Sequence, residues 1–343
     1  MTDYSKYLGE SADSGEKGRN PEPSLGVPLE FVIWAYRLFL DREPEDMVLA
    51  ERMAGAASSS RQVREVFLNA PEYARKAGAA GRSSSLSAKL DIERISDRPA
   101  LRSFFEHVKQ TWTALGETEP HWSVLSGDRF RQASLAAHLQ EFRDSGRNEV
   151  ERLVGILDRK GIALPAQGTC MEYGCGVGRV TRWLSQRFAR IVACDISGSH
   201  IELARKYLAE EGRTNIEFRL IDSMESIEGL PKTDFFYSVI VLQHNPPPII
   251  EIIVAALANS LNPGGYGFFQ VPAHCDGYSF SVEQYLARLK NPAAERRIEM
   301  HVLQIDRTFR LVFDAGCVVA DVLEDDFAGP GFRSFSYLIH RPR

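Results

Sequence analysis

The densest chemistry in the 343-residue chain lies in one run, Glu172-Tyr173-Gly174-Cys175-Gly176-Val177-Gly178-Arg179. An acid precedes three glycines at alternate positions, and a stretch with Val180, Leu184 and Phe188 on one helical face follows. Glycines let a backbone turn tightly and approach a ligand closely, while the amides at a helix start favour a negative group. Spacing separates two kinds of ligand. A dinucleotide fold calls for G-x-G-x-x-G to seat a pyrophosphate, whereas here the pattern is G-x-G-x-G and Arg179 comes next. Further on, Asp195 closes an apolar run just before a helix starts near Gly198. An acid at that edge of a sheet can accept both hydroxyls of a ribose. A third acid follows a third run in Ile221-Asp222-Ser223-Met224. Taken alone, each Asp reads as a turn or cap residue. Together, acids at the ends of three successive runs beside a glycine loop point to one ligand site.

Such residues need a sheet to hold them. From Thr169 the chain alternates strand-like runs with helical segments, the pattern of a doubly wound α/β sheet covered on both faces. The runs are Thr169 to Tyr173, Ile191 to Asp195, Ile216 to Leu220, Phe235 to Leu242, Gly267 to Val271, Val318 to Leu323 and Phe335 to Ile339. Everything upstream reads as helix or as chain without a core. Residues 1–28 mix Gly, Pro, Ser and charge without hydrophobic period and are expected to form a disordered arm. Over 29–77 apolar residues return at helical spacing, first Phe31, Trp34, Ala35 and Leu38, then Met47, Leu49, Ala50 and Met53, then Val63, Val66, Phe67 and Leu68. Pro71 begins a last turn around Tyr73. Residues 78–88, rich in Gly, Ala and Ser, read as a linker. Residues 89–166 form a helical extension with segments near Pro99 to Leu115, Asp128 to Arg143 and Asn148 to Lys160, and 167–343 form the sheet domain.

Composition removes several classes of function. No apolar run approaches the length that spans a bilayer, and the start lacks a basic-then-apolar signal, so a cytoplasmic protein is expected. The five cysteines, Cys170, Cys175, Cys194, Cys275 and Cys317, include no C-x-x-C pair, and no metal site is expected. A net charge of -5 argues against nucleic acid as partner.

The glycine loop with its preceding acid resembles motif I of the class I methyltransferases. The resemblance covers about Gln167 to Arg343 and implies S-adenosyl-L-methionine as cofactor. It also implies a Rossmann-like seven-stranded sheet in the order 3-2-1-4-5-7-6, strand 7 antiparallel, with Leu261-Asn262-Pro263-Gly264-Gly265 as the turn before strand 5. It carries over a cofactor site of Glu172, Gly174, Gly176, Gly178, Asp195, Ile196, Asp222, Ser223, Met224 and Gln243, with Asp222 on the adenine amino group and Met224 against the ring. His121-Trp122-Ser123-Val124-Leu125, Val241-Leu242-Gln243-His244 and Glu299-Met300-His301-Val302-Leu303 are similar to patterns in a bacterial subgroup encoded among polysaccharide genes. Tyr36 to Pro44 and Phe67 to Tyr73 resemble a short helical domain that recurs in surface-polysaccharide enzymes, implying association with glycan-assembly proteins.

Methyl transfer to a hydroxyl needs alignment of a lone pair and removal of a proton. An imidazole suits the second task at neutral pH. His244 after strand four, His274 after strand five and His301 in the following insertion are the candidate bases. For each, a histidine that only fixes its loop is the competing reading. Trp112, Trp122, Tyr278 and Phe280 could face the mouth of the site, and Glu299 could pair with the base, although an exposed helical Glu is commoner. Asn245-Pro246-Pro247-Pro248 approaches the N-P-P-[YF] motif of nitrogen methylation, but position 248 is Pro, and the prolines read as a helix start. The expectation is O-methylation of a carbohydrate or glycolipid. The alternatives are methylation of a small non-sugar molecule or amine, and a scaffold that keeps the fold without catalysis.

Overall fold

The computed structural model describes residues 26–343 except 41, 69, 71, 74–89, 96 and 292–296. The arm read over 1–28 therefore lies outside the described residues up to position 25, and the linker read over 78–88 lies wholly outside them.

Helices α1 (Leu29–Leu40), α2 (Met47–Ala56) and α3 (Ser60–Leu68) follow the apolar periodicity. Asp46 caps α2, its carboxylate accepting the amides of Val48 and Leu49. Tyr36 meets Phe67 edge-on at 4.8 Å. The outer face of α1 is not solvated. Phe31 packs edge-on against Phe309 at 5.4 Å, and the Trp34 indole donates to the carbonyl of Val319 at 3.0 Å, so these helices share one core with the sheet domain.

Strand β1 (Asp91–Ile92) leads to α4 (Arg98–Thr118), the short α5 (Pro120–Val124) and the long α6 (Leu135–Arg159). The two helices expected between Asp128 and Lys160 are one. Ser145 and Gly146, between the two expected segments, both suit a continuous helix here. The Ser145 hydroxyl donates back to the Phe142 carbonyl at 2.6 Å, and Gly146 is where α6 touches the chain beyond the glycine loop. A Cβ at Gly146 would lie 2.2 Å from the carbonyl oxygen of Arg179.

The sheet then forms from β2 (Thr169–Tyr173), β3 (Arg190–Asp195), β4 (Ile216–Leu220), β5 (Thr233–Ser238), β6 (Leu261–Cys275), β8 (Val318–Asp325) and β9 (Phe332–His340). Its order is β4-β3-β2-β5-β6-β9-β8, parallel from β4 to β6, with β9 antiparallel to both neighbours. That is the expected 3-2-1-4-5-7-6 arrangement. Central strands carry near-continuous apolar runs because both faces are covered. Intervening helices are α7 (Thr181–Leu184), α8 (Gly198–Glu210), α9 (Met224–Glu228), α10 (Pro247–Ser260), α11 (Val282–Leu289) and α12 (Ile305–Asp314), and β7 (Ser279–Phe280) pairs with β1.

Two strand ends differ from expectation for local reasons. Strand β5 stops at Ser238, four residues early, because Ile240 takes a left-handed conformation and 242–244 turn into a 3-10 helix. Strand β6 starts at Leu261, so the Gly264-Gly265 turn is an irregularity inside the strand, where the register shifts between Thr233 and Phe235.

The contact at Gly146 yields an expected outcome. Gly146→Ala should lower stability by about 1–3 kcal/mol through backbone overlap. Gly155→Ala, in the same helix but with its nearest neighbour atom a guanidinium nitrogen of Arg159 at 3.7 Å, should be neutral or raise it by up to ~1 kcal/mol. Thermal unfolding of the two variants side by side checks both signs.

Candidate active site

The glycine loop leaves β2 and folds over the end of β3. The amides of Gly174 and Cys175 both donate to the Cys194 carbonyl, at 2.8 and 2.9 Å. The Gly176 amide donates to Asp195 Oδ2 at 2.7 Å, and Asp195 Oδ1 accepts the Ser197 amide at 2.9 Å. Asp195 thus binds the loop to the start of α8. All three glycines have positive φ, +85 at Gly174, +51 at Gly176 and +84 at Gly178. Close approach reinforces the requirement at the first two. A Cβ would sit 2.3 Å from Val241 at Gly174 and 2.8 Å from Val124 at Gly176. Gly178 instead faces Leu208 and Ala204 of α8, so its role is helix packing.

A cleft opens here. Glu172, Gly174, Gly176, Asp195 and Ile196 line it, together with Ile221. The remaining expected cofactor residues lie elsewhere. Asp222, Ser223 and Met224 line a second cleft with Arg102, His107 and Gln110. The Asp222 carboxylate accepts the Ser226 hydroxyl at 2.6 Å, which holds its pKa below the ordinary value. Gln243 is buried, and its side-chain oxygen accepts a hydrogen bond from Gln270.

Of the three candidate bases, only His244 lines the main cleft. Its Nδ1 lies 2.9 Å from the Glu299 carbonyl, which can only accept, so Nδ1 carries the proton and Nε2 the lone pair. Burial pushes its pKa down to about 4, against the raising effect of that backbone bond. The Trp112 ring lies 5.2 Å from it. His274 is buried beside Asp276 and faces a cavity lined by Phe31, Trp34 and Phe309. His301 is enclosed, with Nδ1 accepting the Tyr278 hydroxyl at 2.7 Å and Nε2 at 2.9 Å from Glu299.

Glu299 is neither helical nor exposed. Its carboxylate accepts from Tyr285 at 2.9 Å, Arg288 at 2.5 Å and His301, and His107 of α4 lies at 3.1 Å. Burial alone would raise its pKa, but hydrogen bonds from His107, His301 and Arg288 outweigh that and hold it far below the usual carboxylate range. The insertion and α4 therefore meet at the ionised carboxylate of Glu299, and the His244 turn meets its backbone carbonyl.

Several cleft residues were not singled out from the sequence, and three of them shape the site. His200, one helical turn into α8, lies with Nδ1 3.9 Å from Asp195 Oδ1 and Nε2 3.0 Å from the Ser123 hydroxyl. Its place shortly after Asp195 was a usable signal. Glu149 of α6 accepts Arg179 at 2.5 Å and the Tyr237 hydroxyl at 2.9 Å. Ile240 is the one non-glycine with positive φ among the described residues, at +58, a conformation costing about 1–3 kcal/mol. No sequence pattern marks it.

A methyltransferase-domain profile matches residues 170–265, the span from the glycine loop to the turn in β6. The C-terminal part carries a class I S-adenosylmethionine-dependent methyltransferase domain. Curated relatives share only part of the chain. The ubiquinone biosynthesis O-methyltransferase of Leptothrix cholodnii is 28% identical over 122 residues, 35% of this chain and 48% of that one. The enzyme of the same name from Idiomarina loihiensis is 30% identical over 100 residues, 29% and 40% of the two chains. The chain spans about half the length of the curated relatives it matches. Among solved structures, magnesium protoporphyrin IX methyltransferase from Synechocystis PCC 6803 is similar at 20% identity and a TM-score of 0.49, covering 69% of this chain and 99% of that one.

The cleft has acceptor groups that fit S-adenosylmethionine. Glu172 is 3% exposed, and its Oε2 has no hydrogen-bond partner among the described residues, an orphaned acid oxygen suited to an ammonium group. Each Asp195 oxygen accepts one amide and keeps a lone pair for a hydroxyl. Gly174 and Gly176 leave the close approach open, and Ile196 and Ile221 add apolar wall.

Burial pushes Glu172 up to about 8, so the free protein keeps it protonated near neutrality. The native state then holds a proton that the unfolded chain, near the ordinary 4.5, releases, and stability should fall as pH rises from about 4.5 to about 8. Glu172→Gln, which cannot ionise, should flatten that decline. Melting curves of parent and variant across this window test it, and parallel slopes would show that Glu172 is not the group responsible.

Proposed function

We propose that this chain methylates a hydroxyl of a carbohydrate or small-molecule acceptor, using S-adenosylmethionine and His244 as general base. One observation carries the reading, the fixed tautomer of His244 in the cleft that also holds Glu172 and Asp195. Bound S-adenosylmethionine supplies a methyl carbon attached to positive sulfur. Glu172 and the glycine loop hold the amino-acid end of the cofactor, and Asp195 holds its ribose. His244 takes the acceptor proton at Nε2, while the Glu299 carbonyl keeps Nδ1–H in place and favours the imidazolium as it forms. Trp112 offers a flat apolar face next to His244 that suits a sugar ring. In this reading the N-terminal helices tie the enzyme to glycan-assembly proteins.

A second acceptor class has its own support. The relatives named for ubiquinone biosynthesis are O-methyltransferases, and Trp112 suits a flat aromatic acceptor as well as a sugar. Both classes present a hydroxyl, so the base is common to them, and an acceptor screen with labelled S-adenosylmethionine decides between sugars and phenols.

His244→Ala should lower turnover by about 10²–10⁴-fold while S-adenosylhomocysteine affinity stays near that of the parent. His274→Ala and His301→Ala should leave the base in place and retain far more turnover. With the His244 pKa near 4, the acid limb of kcat/KM should fall near pH 4 rather than at the ordinary histidine value. Full turnover by His244→Ala would remove the base from the mechanism.

A further inference from the structure

One wall of the cleft is built on strained backbone. Val239, Ile240 and Val241 follow β5 and all line the cleft, with Ile240 at φ +58. A β-branched side chain is a steric outlier there, and such a conformation persists only where its surroundings over-determine it. What holds it is visible. The Ile240 amide donates to Gln270 Oε1 at 3.0 Å, and Gln270, on β6, is 0% exposed. Gln270 Nε2 donates to Gln243 Oε1 at 3.0 Å and to the Ser334 hydroxyl at 2.6 Å.

A buried amide is costly unless its groups are bonded, and here both ends are used. The three partners belong to the strained wall, to the turn that carries His244, and to β9. Downstream of the strain, the Val241 side chain fills the space that Gly174 leaves. The Gln243 carbonyl accepts the His301 amide at 2.7 Å, joining the same turn to the insertion.

We propose that Gln270 and Ile240 are positioning residues: the buried amide holds Ile240 in its left-handed conformation and so sets the wall of the cleft against the glycine loop. The inference rests on the cleft being the cofactor site. A glutamine that served packing alone would change stability and leave ligand affinity untouched.

The test measures S-adenosylhomocysteine affinity by calorimetry, with the thermal midpoint in parallel, for the parent, Ile240→Ala, Ile240→Gly, Gln270→Met and the Ile240→Gly/Gln270→Met pair. Alanine and glycine both remove the Ile240 side chain beyond Cβ, but only glycine relaxes the backbone. Ile240→Gly should melt no lower than Ile240→Ala and yet bind about tenfold more weakly, and Gln270→Met should lose affinity in the parent background but much less beside Ile240→Gly. Equal affinities for the Ala and Gly variants, with Gln270→Met shifting only the midpoint, overturn the inference alone. A parent that does not bind overturns the cofactor reading and this inference with it. Should Gln270→Met fail to fold, the Ala and Gly pair decides.

Discussion

The site depends on where the Asp195 carboxylate spends its lone pairs. One oxygen takes the Gly176 amide and the other the Ser197 amide, so a single side chain at the end of β3 closes the glycine loop and starts α8. Hydrogen bonds to an ionised acceptor are stronger than neutral ones, and two of them to backbone leave little freedom for either loop. With the loop fixed, Gly174 and Gly176 have positive φ and close neighbours, and the cleft beside them has its shape. A ligand hydroxyl approaching Asp195 meets an acceptor already oriented, which is how a buried acid can bind tightly without moving.

The other side of the cleft is built from distant chain. Val124 of the helical extension lies over Gly176, Trp112 stands beside His244, and the insertion reaches back so that the Glu299 carbonyl holds that histidine. Glu299 joins α4 to the insertion through its carboxylate, and the arginine and histidines around it keep it ionised although largely buried. Breaking such a group by removing one partner is more damaging than never having built it. The Asp195 side is therefore set by local loops of the sheet, and the side of the candidate base by contacts between segments far apart in sequence.

That division explains what could be read from the residues. The sheet order, the glycine loop and Asp195 were legible because each depends on local spacing at a strand end. His244 could be nominated from its place after the fourth strand but not separated from His274 and His301, since burial and partners distinguish them. Asp222, Ser223 and Met224 were expected at the cofactor, and the structure has them lining a neighbouring cleft, with Ile221 on the main one. Two helices were read over Asp128 to Lys160 where there is one, and the reason for Gly146 within it, contact with Arg179, is tertiary. Ile240 has no signature at all, because its strain comes from a glutamine on another strand.

Calorimetric titration with S-adenosylhomocysteine of the parent and of Asp195→Asn, each shown to be folded by its melting curve, tests the central claim most directly. The substitution keeps the shape of the side chain but loses its charge and replaces one acceptor oxygen with a donor. Saturable binding by the parent with a loss of about 10²-fold or more in the variant is the result expected from two weakened charged hydrogen bonds. No binding by the parent, or equal affinity in the two proteins, would contradict the assignment of this cleft to the cofactor.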